Sequence, residues 1–418
     1  MESSAPAGAR PRRILYLTFD GILTPLGHSQ VVRVVTALGR RGFPYTIVSL
    51  ERAEDLAKQA RVAELTASLA DAGVEWQPHA YDFSGSAKAA GRNLAVSARA
   101  ALGLARGGRA SLVHSRGYQA TLVAKTVGAL TRTPYLFDAR GYWIDERVAE
   151  GRWFTRPAAY KTAKALERQL YLGARAVVTL TDLQNDDLRS GRVLGKPCRS
   201  VTTITTSADY DAFTIVPEGA RAALPAEVRE RLGDKLVVGI VGSLNGSYRA
   251  DDTLRVLRHL VDGSSRVHVL VLSAQRKEFE ELFARHGIAP DRFTLASAAH
   301  QEMPRWLAAI DWSVLVLNEN FAKRASMPTK LGELFAAGVR VSVYGCNEEV
   351  RGWVSRVGTG LVLPGLADED LAAAARAMIA APRDLAALRR AREIATPHFS
   401  LRAATDAYET LLAPLVER

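Results

Sequence analysis

Twice along this chain, short apolar runs rich in β-branched residues alternate with longer stretches patterned as helices. This alternation limits the fold more than any other feature. In the first series "ILYLTF" precedes "SQVVRVVTALGRRG", "YTIVSLE" precedes "DLAKQARVAELTASLADAG", and "SLVHSRG" precedes "YQATLVAKTVGALTR"; "PYLFDARG" and "AVVTLTD" continue it. After "TTITTSADYDAF" the pattern lapses through the polar stretch "IVPEGARAALPAEVRERLGDK". A second series opens with "LVVGIVGSL" and runs through "VHVLVLSA", "FTLASA", "WSVLVLN", "RVSVYG" and "GTGLVLP", again with helical segments between them. Strands that are apolar along their whole length are buried on both faces, and their alternation with helices predicts parallel βαβ units. The expected class is α/β, with two doubly wound, Rossmann-like domains over 13–213 and 236–397, a linker at 214–235 and a closing amphipathic helix at 398–418.

The chain has 418 residues, too many for one ordinary core, and its 48% hydrophobic and 24% charged content suits a globular protein. Two cysteines, Cys198 and Cys346, supply neither a disulfide framework nor a metal cluster; packing is their expected role, in a reducing, cytoplasmic setting. The net charge of +11 is compatible with nucleic acid, an anionic membrane or an anionic small substrate. No RNA-module pattern and no interleaving of aromatic with basic residues is visible, so nucleic acid is not expected. No apolar run reaches membrane-spanning length, and "MESSAPAGARPRR" reads as a disordered tail rather than a secretory signal. Residues 85–109 carry Lys88, Arg92, Arg99, Arg106 and Arg109 among alanines and leucines, either as a solvated helix or as a peripheral contact with an anionic membrane.

The segment "FDGILT" resembles the opening strand of a haloacid-dehalogenase-type phosphatase, but the nucleophile's place holds Thr18, with Asp20 in the second acidic position. A buried threonine without a base is a poor nucleophile. Another reading is carried by "SMPTKLGELFAAGVRV", residues 326–341, which resembles the donor-site segment of retaining glycosyltransferases of the GT-B fold, the large family four (glycosyl transferases group 1). That resemblance implies two Rossmann-like domains facing across a cleft, with the C-terminal helix returning to the first domain. Most members of the family carry E-x7-E; here the first glutamate's position is Ala325, and the chain instead resembles a branch with S-x-P-T-K-x-x-E.

The resemblance assigns Lys330 to the donor diphosphate, where a helix N-terminus adds its own unpaired N–H groups, and Glu333 to the ribose hydroxyls. Ser326, Met327, Pro328 and Thr329 take over the sugar contact. The bland reading of Lys330 and Glu333 is a solvated surface pair. "GIVGSLNGSYRADD" offers Gly242 and Ser243 as a diphosphate cradle, with Arg249 as a weaker contact, or simply a strand-to-helix turn.

In the first domain "FDGILTPLGHSQV" resembles the family's glycine-bearing loop. Gly27 there either lets the backbone approach phosphates, ahead of a helix beginning near Ser29, or is only a turn glycine. "SLVHSRGY" places His114 at a strand end near the reacting bond, followed by Arg116. "LFDARGYWIDERV" is similar to a D-x-R-G-x-W-x-D-E segment of the same branch, giving Asp20, Arg116, Asp138, Arg140 and Trp143 as acceptor-side residues and Tyr142 with Trp143 as a platform; Asp138 and Arg140 equally suit a structural ion pair. "DYD" at 209–211 reads as structural, not as a metal-binding D-x-D, and no metal or obligatory cofactor is expected.

The implied function is transfer of a hexose-type sugar from a UDP-, GDP- or dTDP-sugar to an acceptor hydroxyl with retention, catalysed through His114, Lys330 and Glu333. The acceptor would be a lipid-linked saccharide of polysaccharide synthesis or a small natural product. The alternatives are a silent nucleotide-sugar-binding protein and a nucleotide-sugar epimerase of the same fold.

Overall fold

A computed structural model describes residues 12–416 other than 152, 155, 217, 218 and 245; the expected disordered tail lies outside the described residues, apart from its last two. Contacts divide the chain into two units, one running to Thr205 and resuming at Ala404, the other spanning Thr206–Ala403.

The first unit is built on seven parallel strands: β1 (Arg13–Thr18), β2 (Tyr45–Glu51), β3 (Glu75–Ala80), β4 (Ala110–Arg116), β5 (Tyr135–Asp138), β6 (Ala176–Thr179) and β7 (Val201–Thr203), in the order β3-β2-β1-β4-β5-β6-β7. β2, β4, β5 and β6 are buried at every residue, their apolar side chains sharing that interior with polar ones such as Ser49 and Glu51 on β2 and His114 and Arg116 on β4. β3, with the sequence EWQPHA, is absent from the apolar series because it is an edge strand, half exposed and carrying Pro78. The order reverses between β1 and β4, where an open α/β sheet leaves a crevice at its strand carboxyl ends.

The second unit repeats the design with six parallel strands: β8 (Leu236–Val241), β9 (Val267–Leu272), β10 (Phe293–Ala296), β11 (Trp312–Val316), β12 (Arg340–Tyr344) and β13 (Leu361–Val362), ordered β10-β9-β8-β11-β12-β13. Its reversal falls between β8 and β11. The polar stretch expected as a linker holds two short helices, Ala220–Ala223 and Ala226–Leu232. Arg392 draws the start of this unit onto its core, donating to the carbonyls of Tyr210, Phe213 and Ala336.

Two helix boundaries differ from expectation. The helix expected near Ser29 begins four residues earlier: Thr24 caps it, Pro25 fills the first-turn position where a missing N–H costs nothing, and it continues through a wide π turn at His28–Val32 into Arg33–Arg40. At the other end, Pro397 sits in the last turn of the helix Leu385–Phe399, and the closing helix starts after it, at Leu401. As expected, that closing helix returns to the first unit, where Arg41 meets Asp406 at 2.7 Å and Glu409 at 2.5 Å.

Candidate active site

In the first unit, the crevice between β1 and β4 is organised by a buried carboxylate that no motif signals. Glu51 ends the otherwise apolar β2 and accepts hydrogen bonds from the backbone N–H groups of Ile22 (2.8 Å) and Leu23 (3.2 Å) and from the Ser49 hydroxyl (2.6 Å). Burial pushes its pKa up, against those hydrogen bonds. The loop it grips contains Asp20 and Gly21 and leads to the Thr24 cap. Gly21 is required there because a Cβ would stand 2.7 Å from the Glu51 carboxylate. Thr18, in the phosphatase nucleophile's place, is spent on this turn: it donates to the Asp20 carbonyl and accepts from the Asp20 N–H.

Gly27 is not a loop residue. It lies in the first helical turn, and a Cβ would come within 2.1 Å of the Gly21 carbonyl oxygen, so the close approach it permits is between helix and loop.

Arg116 ends β4 and Asp138 ends β5, which sets them side by side in the sheet. Asp138 is fully buried. Its Oδ2 lies 2.5 Å from Arg140, 3.7 Å from Arg116 and 3.8 Å from His114 Nε2, while Arg116 Nε also reaches Asp20 at 3.2 Å. Burial alone would raise the Asp138 pKa; the Arg140 guanidinium foremost, then the His114 hydrogen bond and Arg116, hold it well below the usual carboxylate range. Asp20, Arg116, Arg140 and Trp143 line one cavity of about 170 Å³, with Phe19 and Glu146 among its other walls. Asp138 lies beneath it as the shared anchor of both guanidinium groups.

Two residues singled out in this unit lie deeper than the others. His114 is two residues inside β4 and 1% exposed, enclosed by Tyr16, Tyr45 and Tyr408, with its Nδ1 3.2 Å from the Tyr45 hydroxyl. Its Nε2 faces the Asp138 carboxylate from inside the strand. Burial lowers its pKa despite Asp138, so the ring is neutral at pH 7. Tyr142 is likewise fully buried, donating to Asp187, so Trp143 alone of the expected platform faces the cavity.

In the second unit, Pro328 precedes the helix Thr329–Ala336 and supplies no side-chain cap; the Leu331 N–H turns back onto the Pro328 carbonyl at 3.0 Å, and the N–H groups of Thr329 and Lys330 ahead of it have no partner within the helix, a position that suits an anion. Lys330 Nζ rests 3.0 Å from Glu333 Oε2; Glu333 is buried and the Lys330 side chain is 28% exposed. Ser326 and Met327 lead into this turn. Asn347, which caps the following helix through its Oδ1, donates its Nδ2 protons to the carbonyls of Lys323 (2.6 Å) and Ser326 (2.7 Å). Ala325, in the family's glutamate position, is fully buried. Gly242 turns the chain out of β8 in a left-handed conformation (φ 94°), ahead of Ser243. Arg249, expected at the diphosphate, binds Asp252 of its own helix at 2.6 Å. A residue the sequence did not single out links the two segments: Lys323 Nζ reaches the Ser247 hydroxyl at 2.6 Å. Asn347 could have been found from the N-E-E pattern of a helix cap; nothing in the sequence marks Lys323.

Asp209 accepts from the N–H groups of Asp211 and Ala212, closing a turn. Among the described residues no group of three His, Cys, Asp or Glu is placed to hold a metal, and no helix is long and apolar enough to cross a membrane.

Part of the first unit is similar to a known family. Residues 27–201 match the model of the glycosyl transferase 4-like domain. Sucrose-phosphate synthase from Thermosynechococcus elongatus superposes with a TM-score of 0.69 at 15% identity, over 97% of this chain and 99% of that one. HepE of Anabaena, solved in complex with UDP, gives 0.67 at 14%, over 96% and 100%. A UDP-N-acetylglucosamine 2-epimerase gives 0.61 at 13%, over 98% of each chain. No curated protein matches the chain in sequence. At these identities the likeness is one of fold. The chain has the GT-B fold, and the glycosyl transferase 4-like region contains Arg116, Asp138, Arg140 and Trp143.

Proposed function

We propose that this protein transfers a sugar from a nucleotide-diphosphate donor to an acceptor hydroxyl with retention of anomeric configuration, as a hexosyltransferase of the S-x-P-T-K-x-x-E branch. The observation that carries the reading is the uncapped helix N-terminus at Thr329 with Lys330 and the buried Glu333 beside it. A diphosphate arriving there takes the open N–H groups and draws Lys330 away from Glu333, and the released carboxylate accepts from the ribose hydroxyls. Ser326 and its backbone neighbours face the sugar. The leaving diphosphate is stabilised by Lys330 and the helix end, and preorganised charge of this kind supplies much of the rate in such sites. UDP is the first donor base to test, since HepE was solved with it.

The first-unit cavity supports an acceptor rich in hydroxyl groups. Arg116 and Arg140 are already balanced by Asp138 and Asp20, which leaves no net positive charge for a second diphosphate, while a carboxylate, guanidinium groups and the Trp143 wall suit a neutral saccharide or polyol ring.

A thermal-shift series with UDP, GDP, dTDP and their sugars tests the donor site on wild type, Lys330→Ala and Glu333→Ala. A ligand present at a hundredfold its Kd adds about 2.7 kcal/mol to stability. Both variants are expected to lose most of that response. An undiminished shift in either removes that residue from the site.

A further inference from the structure

We infer that one face of the first unit is a docking surface for an anionic lipid bilayer. The helices Ala87–Ala105, Gly117–Thr131 and Pro157–Gly173 pack side by side over a single face of the sheet, contributing Ala101, Val123, Val127 and Leu170 to the same core. The five basic residues at 88, 92, 99, 106 and 109 are joined on this layer by Lys125 and Arg132 from the second helix and its end, and by Lys161, Arg168 and Arg175 from the third. Over 87–109, 117–132 and 156–175 the sole acidic residue is Glu167, which is fully buried and neutralised by Lys164. Apart from Arg92, which meets Asp82 at 3.4 Å, none of these cations, all exposed but the half-buried Lys125, has an ion-pair partner among the described residues.

The short basic helix Arg33–Arg40 aside, the other main helices of this unit are mixed in charge. The helices Gln59–Asp71, Asp182–Arg189 and the closing helix of the same unit carry acids and bases together. A surface with many unpaired cations and no exposed acid repels its own kind and gains from a sheet of negative charge.

Composition separates a bilayer from nucleic acid as the partner. Between the cations stand small residues such as Gly91, Ala95 and Gly103, and exposed leucines: Leu130 at 67%, Leu166 and Leu172 each at 39%. Exposed leucine gains from acyl chains, and no exposed aromatic ring stands on these three helices to stack on bases.

The test is sedimentation of the full-length protein with vesicles of phosphatidylcholine alone or with a third phosphatidylglycerol, at low and high salt. Wild type is expected to pellet only with the anionic vesicles and to be released by salt. Arg99→Glu/Lys161→Glu/Arg168→Glu should reduce the pelleted fraction at least tenfold. The control Lys277→Glu/Arg389→Glu/Arg390→Glu changes net charge equally at exposed positions of the second unit and should pellet like wild type. Glutamine replacements at 99, 161 and 168 serve if the reversed set fails to fold. Wild type remaining in the supernatant at low salt, equal loss in both triple variants, or binding to a short RNA without pelleting would overturn the inference.

Discussion

Asp138 and His114 illustrate how little of a polar cluster a single residue reveals. The strand-end motif marks the carboxylate, while the histidine beside it is enclosed, because Tyr408, almost three hundred positions away in sequence, closes over it. A consequence follows for pH dependence. The His114 pKa is lowered by burial in the folded protein, so the unfolded chain takes up a proton first as the pH falls below 6.5, and stability is lost progressively from there downward. The Asp138 pKa is depressed as well, but its contribution disappears only in strong acid, below the range where His114 acts. Denaturation midpoints of wild type should therefore decline as pH is lowered from 6.5, and His114→Gln, which can still pair with Tyr45, should flatten that part of the curve. An identical slope in the variant would mean that His114 stays neutral in both states or protonates without penalty.

At the level of elements, the strand-and-helix alternation was legible because strands buried on both faces are mainly apolar, and β1, β2, β4, β9, β11 and β12 each hold enough apolar residues to show it. β3 escaped it as a polar edge strand. Of the candidate site, the turn into the Thr329 helix and the pair of residues ending β4 and β5 were readable, since each depends on neighbours a few positions apart. Glu51 and Lys323 were not, because their partners are brought near only by the fold; Asn347 was readable as a helix cap, but not its hold on the Lys323 and Ser326 carbonyls. Gly27 shows the same limit within one residue: glycine signalled a close approach, but which backbone it approaches is decided by the Glu51 anchor on β2. Gly27→Ala would drive a methyl into the Gly21 carbonyl, and backbone can yield only by shifting the helix or the loop that carries Asp20. A loss of about 1–3 kcal/mol is expected in chemical denaturation. Gly91→Ala, at a helical glycine with open space around it, should be neutral or slightly stabilising. Equal effects at 27 and 91 would show that the loop and helix adapt freely.

For the molecule as a whole, chain order and structural membership diverge: the first unit is completed by residues that follow the second in sequence. Thr206–Ala403 form the second unit, and the segment from Ala404 supplies Ala404, Thr405, Tyr408 and Leu412, all buried, to the first. Tyr408 accepts from Arg140 at 3.2 Å and covers His114, while Arg41 binds Asp406 and Glu409. Burying a tyrosine and a leucine, together with two smaller side chains, contributes on the order of 5 kcal/mol, comparable with the entire net stability of an ordinary domain. A chain ending at Ala403 should therefore lose the folded first unit, while the second, whose core and whose Arg392 clasp precede the cut, retains a cooperative transition. Calorimetry of the truncated protein should show the heat of one unit only, and limited proteolysis should degrade residues before Thr206 first. If the truncated chain instead melts with the full enthalpy of the intact protein, the closing helix is an accessory to the first unit, and the burial of His114 and Asp138 must be maintained by the sheet alone.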